Sequence, residues 1–156
     1  MPESAIVIHN IRSVENTAAI FRTAAAAGVT KIYLIGFTPA PLDRFGRKRK
    51  DFAKISLGSE EMVNWESVPS FSSVLKKLKK EKYFIIALEQ SPKSEDYKKI
   101  KPRGKVAIVV GNEVKGLPSV VLKKCDASAE IKMPGKKESL NVAIALAVAL
   151  FRILNI

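Results

Sequence analysis

The sequence predicts an α/β protein: an open, mostly parallel sheet with helices on both faces. Short apolar runs rich in β-branched residues alternate with helical patterns along the chain. Alternation of this kind builds βα units, which lay parallel strands beneath covering helices. The length of 156 residues and the 47% hydrophobic content suit one core-bearing domain over residues 1–156, and exclude a disordered chain.

The elements follow in order. Ala5–His9 (AIVIH) is a buried strand by composition. Asn16–Gly28 reads as a helix, with Asn16 placed to cap its start and Gly28 to stop it. Lys31–Ile35 is a second strand. Phe71, Val74, Leu75 and Leu78 fall at i, i+3, i+4 and i+7, with Lys76, Lys77, Lys79 and Lys80 off that stripe. This is an amphipathic helix with a solvated basic face. Strands follow at Tyr83–Leu88, Val106–Val110 and Ala129–Met133, with a short helix at Pro118–Lys124 between the last two. A helix from about Ser139 to Leu154 ends the chain. Gly36–Lys54 and Pro92–Lys105, rich in Pro, Gly and charge, are expected to be the least ordered stretches.

Charge narrows the partners. Twenty-seven Lys and Arg against fifteen Asp and Glu leave +12, which suits a polyanion. Arg44–Lys50 (RFGRKRK) concentrates five of these cations, Arg44, Arg47, Lys48, Arg49 and Lys50, around Phe45. Such a loop can contact phosphates and stack on a base, so RNA binding is expected there, although a plain solvated loop has the same composition. One cysteine, Cys125, and one histidine, His9, exclude a disulfide framework and argue against a His/Cys metal site. No run approaches the roughly 20 apolar residues of a membrane span. The N-terminus lacks a basic leader, so a cytoplasmic protein is expected. The ten residues Val142–Phe151 are apolar all round. A helix of that kind is either central or half of a subunit interface, and the interface is the favoured expectation.

Several chemistries fail on inspection. The turn after the first strand, His9–Ser13, lacks the glycines of a dinucleotide site, and Gly111–Gly116 is followed by Leu117 rather than the Lys and Ser/Thr of a phosphate loop. A serine triad would have to use His9, which has no nucleophile elbow beside it.

Three segments remain as site-builders. Asn16 to Arg22-Thr23 places a guanidinium within a helix otherwise of Ala, Ile, Phe and Thr. It needs an anion or solvent, and its planar fork suits phosphate. Val106–Pro118 runs an apolar strand into Gly111, Asn112 and Glu113, at a strand end where ligands gather in open parallel sheets. Ile131–Asn141 brings Ser139 and Asn141 up to the apolar helix, where Ser139 is also a natural N-cap.

Together these segments resemble the motifs of the SpoU (TrmH-type) branch of the SPOUT superfamily. The first has Asn, five residues, then Arg-Thr, as in Asn16 and Arg22-Thr23. The second has Gly-Asn-Glu then Gly-Leu, as in Gly111–Glu113 and Gly116-Leu117. The third ends Ser-Leu-Asn-Val before an apolar helix, as in Ser139–Val142. Ile55–Glu61 (ISLGSEE) is similar to the linker between the first two motifs, and Lys132 stands where the family often has Pro. The match spans almost the whole chain.

The resemblance implies a C-terminal trefoil knot, which nothing in periodicity indicates, because knots are rare. It implies S-adenosylmethionine held largely by backbone at Leu88, Gly111, Ile131 and Leu140, with Ser139 close by. It implies a homodimer through Ser139 to Leu154 with a shared active site, and methyl transfer to a ribose 2′-hydroxyl of RNA. Arg22, Asn16, Glu113, Ser139 and Asn141 would be the catalytic set. Since a guanidinium holds its proton firmly, Arg22 is expected first to clamp a phosphate and orient the 2′-oxygen. With no separate RNA-binding domain expected, transfer RNA is favoured over ribosomal RNA. The rival is a basic RNA-binding protein without catalysis.

Overall fold

The computed structural model describes all 156 residues, Met1–Ile156. Seven strands form one parallel sheet: β1 (Ser4–His9), β2 (Lys31–Ile35), β3 (Asn64–Val68), β4 (Phe84–Leu88), β5 (Glu95–Asp96), β6 (Val106–Val110) and β7 (Ala127–Glu130). Their order across the sheet is β3-β2-β1-β6-β4-β7-β5. Every pairing is parallel, with Ile6 opposite Ile32 on one side and Ile108 on the other. Central strands read as continuous apolar runs because both faces of the sheet are covered.

Helices α1 (Val14–Ala26), α2 (Lys50–Ser56) and α5 (Val142–Leu154) cover one face. Phe21, Phe52, Leu146 and Leu150 are fully buried there against Ile6, Ile32 and Ile108. Helices α3 (Phe71–Lys80) and α4 (Ser119–Leu122) cover the other. The stripe Phe71, Val74, Leu75 and Leu78 packs there on Val7, Ile85 and Val109, as its spacing predicts.

Two strands were not legible. β3 is a polar, half-buried edge strand, and β5 has only two residues, so neither shows an apolar run. The stretches expected to be loose are built. Segment 36–49 closes through the bridge Leu42↔Lys48, α2 begins at Lys50, and residues 92–105 hold β5 and a 3-10 turn at Tyr97–Lys99. Caps also shift. Ser13, not Asn16, caps α1, its Oγ accepting from Asn16 N at 3.0 Å. Asn141, not Ser139, caps α5, its Oδ1 accepting from Ala143 N and Ile144 N at 2.9 and 3.2 Å.

The strand order reverses between β1 and β6, the kind of switch point beyond whose carboxyl ends ligands gather in open α/β sheets. β7 lies between β4 and β5, which are consecutive in the chain. The sheet order therefore places a later strand between two earlier, consecutive ones. α5 is two-sided. One side is core, and on the other Ile144 (54%), Val148 (39%) and Phe151 (39%) stay exposed. No helix is long and apolar enough to cross a membrane.

Candidate active site

Beyond the carboxyl ends of β4, β6 and β7 lies a cavity of about 570 Å³. Asn16, Gly111–Glu113 and Ser139–Asn141, the three segments singled out from sequence, all line it, as do Leu88 and Ile131.

Each wall has a local cause. Beyond the ends of β1 and β6, Asn112 Nδ2 donates to the carbonyl of Asn10 at 2.8 Å, while its Oδ1 accepts from Val114 N and Lys115 N. The turn closes as Gly116 N donates to the Asn112 carbonyl at 2.9 Å. Glycine is needed at both ends. A Cβ on Gly111 would lie 2.7 Å from the Gly116 carbonyl carbon, and one on Gly116 (φ 65°) would lie 2.4 Å from Glu89 Oε2. Glu89 fixes the far end by accepting from Leu117 N at 2.9 Å.

Three side chains then join the three segments. Asn141 Nδ2 donates to Asn16 Oδ1 at 2.9 Å, and Asn16 Nδ2 donates to Glu113 Oε1 at 3.4 Å. Glu113 also accepts from Ser13 N at 3.1 Å and Arg12 N at 3.2 Å. Its carboxylate thus sits against the positive end of α1, where a negative charge is stabilised. Burial alone would raise its pKa. The backbone N–H groups of Glu113 itself, Ser13 and Arg12, with the Asn16 amide, outweigh that and hold it below the usual carboxylate range. Because Ser13 does the capping, the Asn16 amide is free for this role, and because Asn141 caps α5, Ser139 is free to line the cavity.

Arg22 is not brought to this cavity. Asn16 and Arg22 are six residues apart on α1, which turns them about 120° apart around the axis and separates them by about 9 Å along it. Arg22 is exposed on the far side. It lines a second hollow, of about 390 Å³, with Ala19, Thr23 and Ala26 of α1, Ile55 of α2, and Ala147 and Phe151 of α5. Within one chain the expected set therefore divides into Asn16, Glu113, Ser139 and Asn141 in the first cavity, and Arg22 beside the exposed apolar stripe of α5.

The basic loop is a tight hairpin with internal partners. Asp43 accepts from Phe45 N at 2.8 Å and Arg47 N at 3.0 Å, and pairs with Arg47 Nε at 3.2 Å. These contacts, the Arg47 backbone N–H foremost, hold its carboxyl below the ordinary range. Lys48 pairs with Glu61 and Arg49 with Asp51, while the Arg44 and Arg47 guanidinium groups both lie 4.8 Å from the centroid of the Phe45 ring. Exposed pairs of this kind are weak, so these cations remain available to a polyanion.

Sequence reasoning did not single out Glu89, Gln90 or Glu130, which also line the cavity. No motif spacing marks them. Glu89 and Glu130 do lie at the carboxyl ends of parallel strands, and that position was the available signal. His9, already set aside as a nucleophile's partner, packs edge-on to Phe71, and burial pushes its imidazole pKa down.

A seven-stranded parallel α/β sheet with a ligand-sized cavity at the carboxyl side of its central strands defines the class. Residues 3–151 match the model of the SpoU rRNA Methylase family, and the chain belongs to that family. It is 34% identical over 146 residues to the 23S rRNA (guanosine-2'-O-)-methyltransferase RlmB of Xylella fastidiosa, covering 94% of this chain and 56% of that protein. The crystal structure of an AdoMet-bound rRNA methyltransferase from Sinorhizobium meliloti superposes with a TM-score of 0.86 at 26% identity, over 98% of this chain and 56% of that one. A structure solved for the 2-OH methylation of C/U34 on tRNA superposes with a TM-score of 0.82 at 25% identity, over 99% of this chain and 95% of that one. The chain thus spans little more than half the length of the curated relatives it matches.

Glu113 is predicted to brace the start of α1 as well as to wall the cavity. Glu113→Ala should cost about 0.5–1 kcal/mol, since its contacts are solvent-exposed, and lower Tm by roughly 1–4 °C. The folded-state pKa is depressed, so this contribution is present near neutrality and lost as pH falls through the carboxylate range. Melting curves of the wild type and the variant between pH 3 and 7 should converge at the acid end.

Proposed function

We propose that this chain transfers a methyl group from S-adenosylmethionine to a ribose 2′-hydroxyl of RNA. The single observation that carries the proposal is the convergence of Asn16, Gly111–Glu113 and Ser139–Asn141 on one cavity. The residues present fit the methyl donor. Leu88, Ala129, Ile131 and Leu140 offer apolar surface to an adenine, the Glu89 and Glu130 carboxylates oppose a sulfonium and an amine, and Lys137 opposes a carboxylate. Bound there, S-adenosylmethionine supplies an electrophilic methyl on a sulfonium whose charge disappears on transfer.

The protein's own contribution is positioning. Ser139 and Asn141 face the cavity at the entry to α5, and the Asn16 amide fixes Asn141 against Glu113. In ideal cases such alignment of reacting groups supplies about 7–11 kcal/mol. Arg22 is assigned the target phosphate, which it clamps in bidentate fashion while orienting the 2′-oxygen; acceptance of the hydroxyl proton is secondary for a group so basic.

Arg22 lies outside the cavity of its own chain, so we assign it to the cavity of a second copy. The face that carries Arg22 also exposes Ile144, Val148 and Phe151, an apolar stripe that a twofold partner would bury. A homodimer through Ser139 to Leu154 covers the stripe and completes both sites at once.

For the substrate we favour transfer RNA. A structure solved for the 2-OH methylation of C/U34 on tRNA superposes on 99% of this chain with a TM-score of 0.82, which supports that reading. Residues 1–156 then act as one catalytic unit whose own basic hairpin grips the RNA. The single thiol, Cys125, which burial pushes up to about 12, suits a reducing cytoplasm.

Three measurements test the proposal. Arg22→Ala should abolish methyl transfer to bulk transfer RNA while leaving S-adenosylmethionine affinity, by calorimetry, within about twofold of wild type. Turnover at the wild-type level would remove Arg22 from the mechanism, and absence of cofactor binding in the wild type would favour RNA binding without catalysis. Mixing inactive Arg22→Ala and Ser139→Ala chains should restore about a quarter of wild-type activity, since half the dimers then hold one intact site. A mixture as inactive as its parents would exclude a shared site. Neutralising Arg44 and Arg47 together should reduce the slope of log affinity against log salt by about one to two; an unchanged slope would take the hairpin off the RNA.

A further inference from the structure

We infer that Arg12 and Phe37 form a nucleobase platform beside the cavity, on which a base of the bound RNA stacks while the Arg12 guanidinium holds an adjoining phosphate. The inference rests on the RNA reading above. Phe37 follows β2 and is 55% exposed, with the Arg12 guanidinium 5.6 Å from its ring centroid. A ring present for stability would be turned inward. This one is turned outward and held there.

The holding contacts are specific. Phe37 N donates to Asn10 Oδ1 at 3.2 Å. Gly36 (φ 64°) lets that amide approach, since a Cβ there would lie 1.9 Å from Asn10 Oδ1. The neighbouring Thr38 is buried, and its Oγ1 donates to the Ile35 carbonyl at 2.8 Å and accepts from Ile11 N at 3.3 Å. The turn carrying Phe37 is thereby laced to the turn carrying Arg12.

That second turn is in turn fixed to the cavity. Arg12 N donates to Glu113 Oε2, and the carbonyl of Asn10 accepts from Asn112. Only the backbone of Arg12 is used in this contact, which leaves its guanidinium over the ring. The platform therefore stands at a fixed offset from the Asn16–Glu113–Asn141 group. Preorganised aromatic surface lowers the ordering cost of binding, and an exposed ring next to a cation takes any base on its face and a phosphate at its edge. The same connection from β2 to α2 repeats the device at Phe45, between Arg44 and Arg47. Two ring-and-cation pairs, Phe37 with Arg12 and Phe45 with Arg44 and Arg47, favour an extended single strand over a folded protein partner.

The test separates base from phosphate with two probes, bulk transfer RNA and inorganic polyphosphate, titrated against the full chain by fluorescence anisotropy at fixed salt. Phe37→Leu should weaken RNA binding about tenfold and leave polyphosphate binding unchanged. Phe37→Trp should bind RNA as well as the wild type. Arg12→Ala should weaken both probes. All three variants should melt with the wild type, because the altered groups are exposed. If Phe37→Leu binds RNA as the wild type does, or weakens both probes equally, the platform is overturned while the RNA reading stands. If the wild-type chain binds no RNA, that reading fails and the platform with it.

Discussion

The structure turns on one directional chain of hydrogen bonds, from Asn141 through Asn16 to Glu113. Its polarity is forced. The Asn141 oxygen is committed to the first N–H groups of α5, so only its amide nitrogen can reach Asn16. Asn16 must then present its oxygen to Asn141 and its nitrogen to Glu113. The carboxylate accepts from three donors and is held ionised by them. Two helix starts, from opposite ends of the sequence, are locked to the β6 turn at one spot. Glu113 could not become a free proton acceptor without releasing the start of α1.

The sheet was legible where strands are continuous, β-branched and buried on both faces. Lys31–Ile35 and Val106–Val110 were read to the residue. Asn64–Val68 was not, because an edge strand needs few apolar side chains and this one has only Trp and Val among Asn, Glu and Ser. Helix bodies were visible and helix starts were not. Ser13 and Asn16 both suit an N-cap, as do Ser139 and Asn141, and the choice is made by contacts more than 90 residues away in sequence. Convergence of the cavity residues could be inferred only through the family motifs, since periodicity says nothing about which strand ends adjoin. Glu89 and Glu130 carry no motif at all, and their place in the cavity is a consequence of strand order.

Arg22 marks the limit of reading within one chain. The spacing Asn16 to Arg22 looks like a pair on one helix, but the pitch sends the two side chains to different faces. The second face is no ordinary surface. It joins an unburied cation to the exposed side of a helix that carries no charge from Val142 to Phe151. An apolar stripe of this kind is a liability in a free monomer and an asset at a twofold interface, where each copy meets the same patch on the other. A motif conserving its spacing across such an interface would look continuous in sequence and divided in a single subunit.

The distribution of charge fits two ligands of opposite sign. The net charge is +12, yet Glu89, Glu113 and Glu130 all line the cavity, with Lys137 the one basic side chain among its lining residues. The cations stand outside it: Arg12 over Phe37, Arg44 and Arg47 over Phe45, and Arg22 on the α1–α5 face. A cationic methyl donor would be drawn inward by the same carboxylates that repel a phosphate, and the backbone of an RNA would then be met by the cations at the rim. The nucleophile would therefore have to come from a part of the RNA that reaches inward from the phosphates without carrying charge, and the ribose hydroxyl meets that condition. Moving the basic groups into the cavity would raise affinity for RNA and lose the separation of the two ligands, so the segregation is itself a constraint on the chemistry.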